Sequence, residues 1–257
     1  MTDHKNKSCI FIGGKQLGVN CLRTLLEAGV KPALVIPNLD DDGLKPLWHE
    51  SLTKTAQDAG LKVITGIKVR DPIIIAEIKK INPEIIFCFG GMQIIPKEVL
   101  DIPKLGTLNI HPALLPKYRG RFSTVHALFN GEKYTGVTLH YMSEALDAGP
   151  IISQKKYPIE DSDTGETLYH KFTAAGTELF KEFLAKWLKG EKIIAFPQDE
   201  TQATYYPKGL PNNGEIDWNW TGRQIKDFIR AMTFPPFPPA SFKIGDQKMI
   251  IIKEQLI

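Results

Sequence analysis

Asn109 and His111 stand one residue apart at the end of a segment, 107–110, that reads as a strand, so their side chains point to the same side of it. A carboxamide beside an imidazole can polarise a carbonyl and handle protons. Asp147 lies 36 positions beyond His111, in the Gly-containing loop EALDAGPII between two further strand-like segments. From there its carboxylate could reach the imidazole and fix its orientation. As residue types alone, all three are equally open to packing roles.

Other patterns carry less. GGKQLG, residues 13–18, lies between a strand and a helix, where backbone N–H groups can cradle an anion and Lys15 could touch a phosphate. Val19-Asn20 replace the Lys-Ser/Thr of a Walker loop and the GxGxxG spacing is absent, so a tight turn explains the glycines equally well. Asn38-x-Asp40-x-Asp42-Gly43 starts like a calcium loop, but its twelfth position is His49 and Pro46 falls inside it; a solvated acidic loop is expected. His4, His49, His140 and His170 have no partner at metal spacing and read as surface or packing residues.

The elements that must position these residues alternate. Strands are expected at 8–12, 33–36, 62–64, 84–89 and 107–110, and helices near 17–26, 47–59, 72–81 and 97–100. That alternation indicates right-handed βαβ units and an α/β, doubly wound, Rossmann-like, mostly parallel sheet, with ligands at the C-terminal ends of its strands. Two strands, 136–142 and 150–157, follow without a helix between them. Asp163-x-x-Glu166 reads as a capping box opening a long helix to Leu188. After Gly190 come a Tyr/Pro/Asn/Gly-rich stretch, a helix over 222–232 opened by Thr221-x-x-Gln224, and a β-hairpin around Gly245-Asp246 whose second strand is Met249–Ile252. The expected division is a domain at 1–190 and a small hairpin-containing appendix at 191–257.

With 257 residues, 42% apolar and 24% charged, the chain can bury a sizeable core. A net charge of +3, from 32 basic and 29 acidic residues, gives no case for a nucleic-acid or membrane partner. Cys9, Cys21 and Cys88 show neither CxxC spacing nor an even count, which argues against disulfides and zinc and for a reducing compartment. With no secretory pattern and no run of about 18 apolar residues, a cytoplasmic protein is expected.

NIHPALLPKYRG, residues 109–120, followed by LDAGPII, residues 146–152, resembles the signature of the folate-dependent formyltransferases, Asn-x-His-Pro-Ser-Leu-Leu-Pro and then Leu-Asp-x-Gly. The likeness covers most of residues 8–190, with Ala113 in place of the usual Ser. GGMQIIPKEVL, residues 90–100, is similar to the segment that frames the pterin. The resemblance implies that Asn109, His111 and Asp147 are the catalytic triad. It implies that the surroundings of Met92, Gln93, Ile95, Glu144 and Ala145 hold the co-substrate 10-formyltetrahydrofolate, with no metal. The tetrahedral oxyanion formed by amine attack would need donors, Asn109 and His111. His111, or Asp147 through water, would take the amine's proton; the sequence leaves both open.

Within the family, glycinamide ribonucleotide formyltransferases are single domains about the size of 1–195, and methionyl-tRNA formyltransferases add a barrel for which the roughly 65 residues after Gly190 are few. KYRGRFSTVHALFNGE, residues 117–132, and RAMTFPPFPPASF, residues 230–242, look more like the sugar N-formyltransferases. That likeness implies a nucleotide-linked, dTDP-type amino sugar as acceptor, for a surface polysaccharide. The pyrophosphate would lie near Lys15 or Arg121 and the base against Phe237 or Tyr206, with solvated charges and core aromatics as the plain alternatives. The apolar hairpin strand is expected to join a homodimer interface. A tRNA-type enzyme and a catalytically idle nucleotide-sugar or folate sensor are the other readings.

Overall fold

The computed structural model describes residues 7–44 and 48–251. His4, Pro46, the Leu47 start of the second expected helix and Ile252 lie outside the described residues. β1 (Cys9–Gly13) alternates isoleucine with phenylalanine and is buried throughout, as a strand covered on both faces requires. It is followed by α1 (Lys15–Glu27), β2 (Leu34–Pro37), α2 (Leu52–Asp58), α3 (Pro72–Ile81), β3 (Ile85–Phe89), α4 (Lys97–Leu100) and β4 (Thr107–His111). Then come β5 (Arg119–Gly120), α5 (Ser123–Phe129), β6 (Tyr134–Tyr141), β7 (Ile151–Pro158) and α6 (Gly165–Leu188). β8 (Tyr205–Tyr206), α7 (Gly222–Met232), β9 (Ser241–Ile244) and β10 (Gln247–Ile250) complete the chain.

The main sheet has the order β2-β1-β3-β4-β6-β7, with β1 to β4 parallel and β6 antiparallel to β4. This is the expected doubly wound, mostly parallel sheet, and β9 and β10 form the expected antiparallel hairpin. The chain divides into two compact units that do not follow its order. One contains the chain up to His111, Thr138–Gln154 and Thr173–Gln198; the other contains Pro112–Val137, Lys155–Phe172 and the chain from Asp199 onward.

In the first unit, Ile10, Ile12, Leu34, Ile36, Ile86 and Cys88 pack against Ile74 and Ile78 of α3. On the aromatic side, Phe87 and Phe89 meet Phe180 at 5.1 and 4.9 Å between ring centres, and Phe87 meets Trp187 at 5.6 Å. Burying each such side chain contributes about 1.5–3 kcal/mol, enough to fix which face each strand residue takes. The close approach of β1 to β3 needs glycine: a Cβ at Gly13 would stand 2.0 Å from the Phe89 carbonyl oxygen. In the second unit, Phe228, Ala231 and Met232 of α7 pack with Val125, Leu128, Leu168 and Ile216.

Several boundaries differ from expectation. Residues 62–64 make a single bridge, Val35 to Val63, instead of a strand. α2 begins at Leu52 because Ser51 caps it, accepting from the Lys54 N–H. The capping pair of α6 is Thr164 with Thr167, whose hydroxyls and N–H groups bond reciprocally, not Asp163 with Glu166. α5 escaped the sequence reading because it opens at Phe122, which has a positive φ and no capping side chain. Among the described residues, no helix is long and apolar enough to cross a membrane.

Candidate active site

β4 delivers Asn109 and His111 to one face of the sheet, and β6 places His140 opposite Asn109 and Thr138 opposite His111. Directly opposed residues on antiparallel strands share a face, so four polar side chains meet there. All of β6 but its ends is buried, and the buried polar Thr138 and His140 stand on either side of Leu139. Asn109 Nδ2 lies 3.2 Å from His140 Nε2, and His140 Nδ1 lies 2.8 Å from the Tyr141 carbonyl oxygen.

Asp147 comes from the loop after β6, with a φ of 54°. Gln198 Nε2 donates to the carbonyls of Asp147 and Gly149, both at 2.7 Å, and so pins the turn. Gly149 cannot be larger: a Cβ there would stand 1.9 Å from the Tyr141 carbonyl oxygen. The turn sets Asp147 Oδ2 3.4 Å from His111 Nδ1 and Oδ1 3.8 Å from His140 Nε2. The Asp147 side chain is 8% exposed and the two imidazoles 4% and 1%, so little water screens this carboxylate between two rings.

The segment after β3 is shaped from beneath by Asn38. Its Nδ2 donates to the Gly90 carbonyl at 3.0 Å and its Oδ1 accepts from the Met92 N–H at 2.9 Å. Buried Asp41 caps α2 through the N–H groups of Leu52 and Thr53. Within the acidic loop, Asn38 and Asp41 are thus buried scaffolding, while Asp40 is exposed as expected. Gln93 Oε1 accepts from the Val69 N–H at 3.0 Å, while its Nε2 is buried with no protein partner. Ile95 is buried and Met92 half-exposed. Glu144 and Ala145 line a hollow of about 570 Å³ with Lys97, Leu100 and Met142. A buried unpartnered donor beside a loop of backbone groups fits a flat, hydrogen-bonding ring such as a pteridine.

Lys15, in the same unit, opens α1 with a φ of 55°. The Gly14 and Gly18 N–H groups donate to the Phe89 and Gly14 carbonyls, so both are already satisfied within the protein. In the second unit, exposed Arg121 donates its backbone N–H to the Tyr206 carbonyl. Tyr206 stacks on Tyr118 at 5.2 Å and lies 4.1 Å from the His126 ring, while its hydroxyl accepts from Asn130. Phe237 packs edge-on against Phe234. Among the described residues, no group of three or more His, Cys, Asp or Glu is arranged to hold a metal.

Residues 12–184 match the formyl transferase family, and residues 210–257 match the formyl transferase C-terminal domain. The chain belongs to the formyl transferase family. As a member it is a folate-dependent N-formyltransferase. It is 38% identical over 251 residues to the methionyl-tRNA formyltransferase of Thermodesulfovibrio yellowstonii, covering 96% of this chain and 80% of that one. Among solved structures it resembles the N-formyltransferase of Helicobacter canadensis in complex with folinic acid and dTDP-3-aminofucose. That match has a TM-score of 0.78 and 29% identity, over 95% of this chain and 86% of the other. A sugar 3N-formyl transferase, WlaRD, in the presence of dTDP and 5-N-formyl-THF, matches with a TM-score of 0.73 and 29% identity, over 89% and 79%.

The sequence reading missed His140, Gln198 and Asn38 around this formyltransferase site. The available signal for His140 is the pair of polar residues at alternate positions, Thr138 and His140, on either side of Leu139. Gln198 lies 51 residues from Asp147, and no spacing rule connects the two.

Proposed function

We propose that this formyltransferase moves the formyl group of 10-formyltetrahydrofolate to the amino group of a nucleotide-linked amino sugar, with dTDP as the nucleotide, for a surface polysaccharide, in the cytoplasm. The observation that carries the acceptor class is the likeness, over 95% of the chain, to an enzyme solved with dTDP-3-aminofucose. Asn109, His111 and Asp147 are the catalytic residues in this reading. Asn109 Nδ2 and His111 meet the oxygen that becomes negative as the amine attacks the formyl carbon. His111, braced by Asp147 at 3.4 Å, or Asp147 through water, accepts the proton that the amine releases.

Met92, Gln93, Ile95, Glu144 and Ala145 hold the pteridine in this reading. Because Asn38 occupies the Met92 N–H, Met92 contributes its carbonyl or side chain. Lys15 or Arg121 meets the pyrophosphate, and Tyr206 or Phe237 meets the base. Residues 191–257 form an appendix whose hairpin pairs two copies into a homodimer. Ile244, Met249 and Ile250 are largely exposed on it, and Trp218 packs on Phe242 with 63% of its own surface exposed.

A second reading, transfer to methionyl-tRNA, has its own support in the 38% identity to the T. yellowstonii enzyme. Release of tetrahydrofolate, measured with a panel of dTDP-linked 3-amino and 4-amino sugars and with His111→Ala as control, tests the proposal. Turnover with one sugar that the variant abolishes supports it; turnover with methionyl-tRNA alone replaces it with the second reading. Cell fractionation tests the compartment, and recovery with the membrane fraction would contradict it.

A further inference from the structure

We infer that His140 is a positioning residue for formyl transfer, acting through Asn109; the inference rests on the reading in which Asn109 receives the oxyanion. The Tyr141 carbonyl oxygen can only accept, so His140 Nδ1, 2.8 Å away, carries the hydrogen. In the neutral ring Nε2 is then an acceptor, and the group 3.2 Å from it is the Asn109 amide nitrogen. The opposite amide orientation would set Oδ1 against a lone pair with no hydrogen between them. Tautomer and amide orientation therefore fix each other. One Nδ2 hydrogen is spent on His140, and the other is directed to where a substrate oxygen would accumulate charge.

The hydrogen bonding of His140 separates this role from a catalytic one: Nδ1 faces the Tyr141 carbonyl and Nε2 the Asn109 amide. The His140 side chain is 1% exposed, on the strand beside β4 and directly opposite Asn109. Its ionisable neighbours include Asp147, at 3.8 Å, and the His111 ring, at 6.4 Å between centres. A proton donor or acceptor for the amine needs a ring nitrogen available to the substrate, and both nitrogens of His140 meet protein groups. What it supplies is orientation of a donor before the charge appears, the form of stabilisation that raises kcat more than it alters KM.

The test is kcat and KM for His140→Gln, His140→Asn and His140→Ala, each alone and combined with Asn109→Ala. Gln can place a carbonyl oxygen near the Nε2 position and accept from Asn109. Asn can keep the bond to the Tyr141 carbonyl but is too short to accept from Asn109. We expect Gln to stay within about threefold of the parent kcat, and Asn and Ala to lose about ten- to a hundredfold with KM little changed. In the Asn109→Ala background the His140 changes should cost nothing further, because residues that act through one another are not additive.

Additive losses, a rise in KM in place of the fall in kcat, or Asn outperforming Gln would overturn the inference. Should His140→Ala fail to fold, the near-isosteric Gln and Asn variants carry the same decision. A loss below about tenfold in Asn109→Ala alone would overturn the oxyanion reading and this inference with it. A large Asn109→Ala loss with additive His140 losses overturns this inference alone.

Discussion

Asp147 Oδ2 lies 3.4 Å from His111 Nδ1, although 36 residues separate the two in the chain. The contact depends on a turn in which Asp147 takes a positive φ, Gly149 passes against the Tyr141 carbonyl, and Gln198 holds two carbonyls. Each support is itself open to mutation, so the importance of the contact can be separated from that of the residues alone.

Replacing the three polar groups should remove rate and leave the fold. His111→Ala and Asp147→Asn should each lower kcat by about 10²–10⁴, and Asn109→Ala by about 10²–10³. Steady-state kinetics with circular dichroism melting checks this. Full activity in any one of them would remove it from the catalytic set.

Gly149→Ala should act on Asp147 at a distance. The added methyl would stand 1.9 Å from a carbonyl oxygen, so the turn must shift and carry Asp147 away from His111. We expect kcat to fall about tenfold or more, given how steeply proton transfer and positioning depend on distance. Gln198→Ala should do the same more weakly. Unchanged kcat in both would mean that the turn geometry is not needed.

Much of this site was readable in the sequence, for identifiable reasons. Asn109 and His111 lie at alternate positions of a buried strand, and α7 is opened by the Thr221 and Gln224 capping box, so local chemistry marks them. His140 was read as packing because its meaning comes only from register with Asn109 across an antiparallel pair. The burial of Asn38 within the acidic loop is not legible, because loop composition says nothing about which carbonyls lie beneath. α5 had no capping side chain to announce it.

The thiols should be inert in the native protein. Burial pushes Cys9 and Cys88 up to about 12 and Cys21 well above its ordinary value, so almost no thiolate exists near pH 8. A disulfide-exchange reagent should label none of the three within minutes and all three in denaturant. Fast labelling of the folded chain would contradict the burial.

Asp163 should stabilise the second unit in a pH-dependent way. Burial alone would raise its carboxyl, but bonds from Lys171, the Glu160 N–H and Thr167 outweigh that and hold it below the ordinary aspartate value. A depressed carboxyl stabilises above its unfolded value, and the contribution is lost as pH falls through the folded value. Asp163→Asn should cost about 1–3 kcal/mol at pH 7 and progressively less below pH 4, by urea unfolding. A penalty that is constant with pH would contradict the ionic origin.

Truncation after Ser241, followed by sedimentation, tests the hairpin's role. Loss of the dimer is expected; a soluble truncated chain with unchanged particle mass would contradict it. At least one of Lys15→Ala, Arg121→Ala and Phe237→Ala should raise KM for the sugar nucleotide about tenfold or more while leaving that for the folate unchanged. Unchanged acceptor constants would remove those assignments.

The most direct test of the central claim is the ratio of kcat/KM for a dTDP-linked amino sugar to that for methionyl-tRNA, at the same 10-formyltetrahydrofolate concentration. A ratio favouring the sugar by about a thousandfold or more is expected, since a site built around one acceptor's polar groups strongly rejects another. A ratio favouring the tRNA would contradict the account.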